Sequence, residues 1–539
     1  MPAPRRPIPA LLAALILSAC GAGDEARSPQ ADPGVDRAGP ARSAPDGARL
    51  GVVVVVDQLR SDLLTRYDDL FTGGFRRLLD GGAVFTNTTH DHAETATAPG
   101  HTTIATGRFP RAHGVSANSW YEHVEGDVWR SRYAVADTAV SILADPGLPG
   151  RSPASIRVDG LGDWVRSVDA DARVIGISRK DRGAIPLTGH AAQDAYWLAL
   201  SDGVAGFTTS TWYHDELPEW VRSANAELTP TLWGDTVWVW QGEDEVRDRA
   251  RPDEAPYEAD GVHTTLPHHS FTEVDMMDRG AWGDWLEDSP ATDRAVTTLA
   301  RHALDALDLG RRGPVDLLAV SYSATDGVGH TFGPLSLEQL DNLLRLDREL
   351  DMLMDALDRA VGEDAWTLVL TADHGAADAP EWRVEQGRPG HRVTREERQA
   401  ADGALAGVTR GDGGVAAAEA LVAAGLAADA YPFERLRAGT STDTLEQLFM
   451  NGFVEDRVPA FPGFEVAARM PEGWMDEEFG STHGSPYHYD RWVPFIVYGP
   501  GAAAGVYPER ASTVDIAPTL AALLGLPFPD DVDGIPRMR

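Results

Sequence analysis

The chain has 539 residues, 43% hydrophobic and 24% charged, enough for one large domain with insertions or for several ordinary domains. Its 83 acidic residues against 47 basic ones leave a formal charge of -36. Such a surface offers no basic face to displace phosphate counterions, which excludes duplex nucleic acid as a partner, and any anionic substrate must meet a locally positive site.

In chain order, the first readable segment is an address. Arg5 and Arg6 precede an apolar run over 11–17, followed by Ser18, Ala19, Cys20 and Gly21. A basic start, a short apolar stretch and small residues describe an export signal over 1–20, and the stretch is too short to cross a bilayer as a helix. Leu17 to Cys20 is also similar to a bacterial lipobox, and Gly21 supplies no inner-membrane retention signal. The expectation is an exported periplasmic or cell-surface lipoprotein of the outer membrane, touching the membrane only through a lipid on Cys20. Cys20 is the sole cysteine, so no intrachain disulfide and no thiolate ligand are available. Residues 21–49 are rich in Gly, Ala, Pro, Asp and Ser without apolar period, and read as a flexible tether.

The catalytic domain is expected over 50–539. The β-branched run 52–56 predicts a strand buried on both faces. Similar runs follow at 173–177, 315–320, 366–370 and 493–498. Between 315–320 and 366–370 lies 337–360, with apolar residues at 340, 343, 344, 346, 350, 353, 354 and 357, a helical period; 513–523 predicts a shorter helix. This alternation predicts an α/β fold, a doubly wound and mainly parallel sheet flanked by helices, with ligands beyond the carboxyl ends of the strands. Segments 121–160, 210–288 and 380–475 break the pattern with Trp, acidic residues, Pro and Ala-rich polar stretches, and read as cap insertions over that face.

The chemistry-bearing residues fall at those strand ends. Asp57 follows the first strand, Asp326-x-x-x-His330 the third, and Asp373-His374 the fourth; His483 stands in Ser-Thr-His-Gly-Ser-Pro. Each alone fits a capping pair. Together with a hydroxyl they meet the needs of a two-metal hydrolase with a covalent intermediate. Thr97 is that hydroxyl: Pro99 suits a first helical turn, which puts Thr97 at or just before the N-cap, where amides and dipole favour an anion. An ordinary capping threonine fits the same geometry. His101 and His113 read as supports and not as ligands.

In this order the set resembles the alkaline phosphatase superfamily, in particular its phosphate-irrepressible monoesterase branch with a threonine nucleophile; nucleotide pyrophosphatase/phosphodiesterases are near relatives. The resemblance spans about 50 to 525, strongly in the motifs. It implies an alkaline-phosphatase-like fold and two Zn²⁺ ions, one on Asp326, His330 and His483, the other on Asp57, Asp373 and His374 with Thr97 completing the site. Oxygen and nitrogen ligands without thiolate suit catalytic zinc. It further implies that Thr97 attacks phosphorus and that the resulting phosphothreonine is hydrolysed. The monoesterase branch carries Asn and Lys-x-Arg where this chain has Asn118, Lys180 and Arg182. By resemblance Asn118 and Arg182 bond the nonbridging oxygens and Lys180 adds charge, which suits a monoester bearing about two negative charges. Small phosphate monoesters are the expected substrates. A sulfatase would need Cys or Ser at the position of Thr97. One alternative is a phosphodiesterase or nucleotide pyrophosphatase that stacks bases on Trp212, Trp220, Trp233, Trp238 or Trp240. Another is a lipoprotein that binds phosphate or metal without catalysis.

Overall fold

Residues Leu50–Val56 (β1) are all buried and lie at the centre of a nine-stranded sheet. Their alternation divides them between two cores: Val52, Val54 and Val56 face one side, Val53 and Val55 the other. The structure, a computed structural model, describes residues 47–538, apart from 126–127, 202–203, 233–236, 270–282, 284 and 410–412. The expected export signal, the Cys20 lipid site, the tether up to 46 and Trp233 lie outside the described residues.

The other strands of the sheet are Ala83–Thr89 (β2), Val174–Ser178 (β3), Asp194–Ser201 (β4), Val204–Thr208 (β5), Asp316–Tyr322 (β6), Trp366–Thr371 (β7), Phe495–Tyr498 (β8) and Gly505–Ser512 (β9). Their spatial order is β9-β2-β8-β7-β1-β6-β3-β4-β5. β4, β3, β6, β1 and β7 are parallel, β8 runs antiparallel to β7 and β2, and β5 runs antiparallel to β4. The sheet is therefore doubly wound and mainly parallel.

Seven helices matter for the site and its support: Thr97–Thr106 (α1), Asp181–Thr188 (α2), Glu219–Leu232 (α3), Ala291–Ala306 (α4), Ala324–Phe332 (α5), Leu337–Val361 (α6) and Ile516–Leu523 (α7). α6 starts where the Ser336 side chain accepts from the Gln339 N–H, and it buries Leu340, Leu343 and Leu350 against the Val52 face. α7 buries Ile516 and Leu520 on the opposite face. No helix among the described residues is long and apolar enough to cross a membrane.

Two expectations about the domain plan change. The tether does not reach residue 49: Ala48 is buried, and the Arg49 guanidinium donates to the Gly310 carbonyl at 3.0 Å and the Val361 carbonyl at 2.7 Å. Nor is 210–288 all cap, because α3 buries Val221, Ala224, Leu228 and Leu232 in the core that holds Val52. Their helical spacing makes one apolar stripe that only a layer against the sheet could cover. Within the first insertion two hairpins stand out, Ser119–Glu125 with Val128–Tyr133 and Ala136–Ser141 with Pro149–Arg151. The 380–475 segment builds a small core of its own from residues such as Leu405, Leu421 and Val466. Trp238 is spent on structure, buried with its indole N–H on Asp341 at 2.7 Å, and Trp220 packs edge-on against Tyr196.

Candidate active site

The strands deliver the site by ending together. In one layer Val55 pairs with Ser321 and with Thr371, and Ser321 pairs with Ser178. Two residues beyond this layer stand Asp57, Ser323, Asp373 and Lys180, so residues separated by hundreds of positions in sequence share one edge.

Asp57, Asp373 and His374 form one group whose ligand atoms lie within 4.8 Å of one another, and Asp326, His374 and His483 form a second. His374 belongs to both, its ring stacked on that of His483 with centroids 3.6 Å apart. His330 joins the second group through Nε2, 3.2 Å from Asp326 Oδ1. Three histidines are oriented alike. Nδ1 of His330 lies 2.9 Å from the Ser481 carbonyl, Nδ1 of His374 lies 2.9 Å from the Gly375 carbonyl, and Nδ1 of His483 lies 2.7 Å from the Thr95 carbonyl. A carbonyl only accepts, so each Nδ1 carries hydrogen and each neutral ring keeps its Nε2 lone pair for a metal. Asp57 Oδ1, Asp373 Oδ2 and His374 Nε2 are buried without a hydrogen-bond partner, an arrangement that is costly unless a cation meets them. These donors fit a pair of divalent metals.

The electrostatics point the same way. Burial pushes Asp326 up, but Lys180 and His330 outweigh it and hold the carboxyl well below the usual range. Burial opposes a proton on His330, yet Asp326 raises it to about 9. Burial and repulsion from Asp57 raise Asp373 to about 7, while burial and His330 lower His483 to about 4. Burial and then His483 push His374 well below the ordinary imidazole value. The pocket thus favours positive charge beside Asp326 and a proton on Asp373, while it keeps His374 and His483 neutral, a setting suited to cations.

Thr97 is the first residue of α1, with Ala96 in extended conformation as the N-cap. The helix thus begins one or two residues earlier than the Pro99 argument places it. The reason is that the cap comes from elsewhere: Asn118 Oδ1 accepts from the Ala98 N–H at 2.8 Å. This brings Asn118 next to Thr97. Gly100 lets α1 lie against the end of β7, since a Cβ there would stand 2.2 Å from the Asp373 carbonyl oxygen. Gly100→Ala is expected to lower both the melting temperature and kcat, the latter by about 10²-fold if Thr97 shifts by an ångström, as calorimetry and steady-state assays on the same sample would read. His101 is a support: it lies 2.8 Å from the Thr97 carbonyl through Nδ1 and 2.8 Å from Ser321 Oγ through Nε2. His113 lies 3.1 Å from Thr103 Oγ1, within α1's packing.

Lys180 stands closer to the carboxylates than a phosphate-facing role requires. Its ammonium is buried in ion pairs with Asp57 and Asp326, one from each group, because two buried carboxylates draw in the nearest cation. Arg182 is half-buried in the first turn of α2, its Nη1 3.3 Å from Tyr133 Oη. Gln58 has no signal in the sequence. Its backbone is left-handed at φ 69°, a cost of about 1–2 kcal/mol for a non-glycine residue. In return its N–H donates to Asp373 Oδ1 at 3.1 Å and its Nε2 to Asp326 Oδ1 at 2.8 Å, tying the two groups together.

A mainly parallel sheet whose strand ends gather two Asp/His groups beside a helix-start hydroxyl defines a metal-assisted hydrolase. Residues 51–421 match the sequence model of the type I phosphodiesterase / nucleotide pyrophosphatase family. Alkaline phosphatase PhoV of Synechococcus elongatus is 30% identical over 513 residues, 89% of this chain and 90% of that protein. A Myroides odoratus protein named calcium-transporting ATPase is 30% identical over 523 residues, 90% of this chain and 94% of that one. The crystal structure of alkaline phosphatase PafA matches with a TM-score of 0.80 at 26% identity, covering 92% of this chain and 99% of that chain. The chain belongs to the type I phosphodiesterase / nucleotide pyrophosphatase family, within the alkaline phosphatase superfamily. It is a phosphoric monoester hydrolase.

Proposed function

We propose that this protein releases phosphate from small monoesters through a phosphothreonine at Thr97. The observation that carries the reading is the joint presence of Asn118, Lys180 and Arg182 at the strand-end face that holds Thr97, in a chain of net charge -36. Two zinc ions, held by Asp326, His330 and His483 and by Asp57, Asp373, His374 and Thr97, would lower the pKa of hydroxyl ligands and offset charge on the leaving oxygen.

The chain's own residues do the rest. Thr97 Oγ1 bonds to phosphorus as the ester P–O bond breaks; its proton passes to solvent and the leaving alkoxide takes one up. Water then bonds to phosphorus as the bond to Thr97 Oγ1 breaks; one proton of that water goes back to Thr97 Oγ1 by way of solvent, and phosphate leaves. At the start of α1 the Ala98 N–H is taken by Asn118, Pro99 has none and the Gly100 N–H bonds Ala96, which leaves the Thr97 N–H and the helix dipole for the oxygens that carry the charge. Asn118 presents its amide there, since its carbonyl oxygen is committed to the Ala98 N–H. The Arg182 fork suits two nonbridging oxygens, and Lys180 adds a compact charge at the carboxylate edge. The family also contains diesterases, so the decisive assay compares kcat/KM on p-nitrophenyl phosphate with that on its methyl diester. A higher value on the diester would overturn the reading of Asn118, Lys180 and Arg182 as groups that select monoesters.

Dialysis against a chelator is expected to abolish hydrolysis and lower the melting temperature, with zinc restoring both and elemental analysis giving two zinc ions per chain. Metal at a thousand times its Kd contributes about 4 kcal/mol to stability, enough to see by calorimetry. Export and a lipid on Cys20 complete the proposal; Cys20→Ser is expected to release the protein from the membrane fraction of the producing cell.

A further inference from the structure

The first hairpin of the insertion brings both of its ends to the phosphate-binding groups. Asn118 directly precedes the strand Ser119–Glu125, and Tyr133 closes its partner Val128–Tyr133. Ser119 pairs with Tyr133, and the Ala134 N–H donates to the Asn118 carbonyl at 3.0 Å, so the two ends lie side by side. One end caps α1 at Ala98; the other meets Arg182.

The bonds at the second end have a fixed direction. A phenol has one proton, and Tyr133 donates it to Asp181 Oδ1, which leaves the Tyr133 oxygen lone pairs to accept from Arg182 Nη1 at 3.3 Å. Burial, and then the Asp181 carboxylate, push the Tyr133 phenol upward, so it stays protonated. Asp181 Oδ2 in turn accepts from Arg151 Nε at 2.5 Å, and the Arg151 guanidinium lies 5.1 Å from the centre of the Tyr133 ring. Arg182 is thereby held at one corner, while its buried Nε has no hydrogen-bond partner and remains available to a ligand. Arginine is long and rotamer-rich, so holding it in place before substrate arrives removes ordering that binding would otherwise have to supply.

We propose that Tyr133, with Asp181 and Arg151 behind it, is a positioning residue for Arg182, and that this hairpin sets the preference of the site for the terminal phosphoryl group of a monoester. The inference rests on the reading of Arg182 as a ligand of nonbridging oxygens.

The test is a double-mutant cycle on the zinc-loaded protein, with Tyr133→Phe, Arg182→Ala and the pair assayed on p-nitrophenyl phosphate and its methyl diester. Tyr133→Phe is expected to lower monoester kcat/KM about tenfold, with diester kcat/KM within about twofold of the parent, and to cost less than about twofold once Arg182 is Ala. A loss equal on both substrates, or a full loss repeated in the Arg182→Ala background, would overturn the positioning role and leave the reading of Arg182 intact. Monoester activity unmoved by Arg182→Ala would overturn both. If Tyr133→Phe lowers the melting temperature, Asp181→Ala removes the acceptor of the same phenol while keeping the ring, and the same non-additivity with Arg182→Ala is expected; additivity there counts against the proposal.

Discussion

Thr97→Ala is expected to cost roughly 10⁴- to 10⁶-fold in kcat on p-nitrophenyl phosphate, the scale on which removing a covalent nucleophile acts. The fold gives little reason for any other effect. α1 is anchored by its own backbone, with Gly100 N–H on the Ala96 carbonyl at 2.9 Å, and its second amide is capped by Asn118. Thr97 is buried, and the substitution removes only a hydroxyl and a methyl group. The melting temperature is therefore expected to stay close to the parent's, while the zinc site that Thr97 completes loses one ligand; assays at saturating zinc with the metal content measured make the activity loss a reading of chemistry. Rapid quenching of the parent protein during turnover should yield one phosphoryl group on the peptide containing Thr97, and none for Thr97→Ala. Turnover by Thr97→Ala within tenfold of the parent would show that water attacks phosphorus directly.

The second large effect concerns charge at the nonbridging oxygens. Arg182→Ala and Lys180→Ala are each expected to lower monoester kcat/KM by roughly 10²- to 10³-fold, the cost of deleting one preorganised donor to a developing oxyanion. The loss on the methyl diester should be much smaller, because that substrate carries one charge fewer. The two residues differ in a second readout. Lys180 pairs with one carboxylate of each group, so its ammonium competes with metal for Asp57 and Asp326. Lys180→Ala is accordingly expected to tighten zinc binding in a chelator competition, whereas Arg182→Ala leaves it near the parent value. Equal losses on monoester and diester would mean that neither side chain distinguishes the two.

What could be read from sequence follows the physics of burial. β1, β3, β6 and β7 are covered on both faces, so their apolar runs are uninterrupted and their ends, with Asp57, Asp326 and Asp373, are visible. β2 and β9 stand toward one edge and mix polar and exposed residues into the strand, as in Ala-Val-Phe-Thr-Asn-Thr-Thr, which a search for apolar runs passes over. The start of α1 was legible only to within two residues because its cap, Asn118, sits 20 positions further on. Gln58 and Tyr133 were hidden for different reasons. A left-handed glutamine leaves no trace in composition, and the placing of Tyr133 depends on a hairpin whose path only three dimensions define.

The position of β8 has a consequence for the order in which this chain becomes an enzyme. β2, the strand that leads into Thr97, has only two neighbours, β8 and β9, and both come from the last tenth of the chain. A growing polypeptide can pair β1 with β6 and β7 while β2 still has no strand to join. The lead-in to Thr97 would then dock late, together with His483 from the same closing stretch, and the loss of the final strands would leave β2 without a partner while the parallel centre of the sheet stays paired.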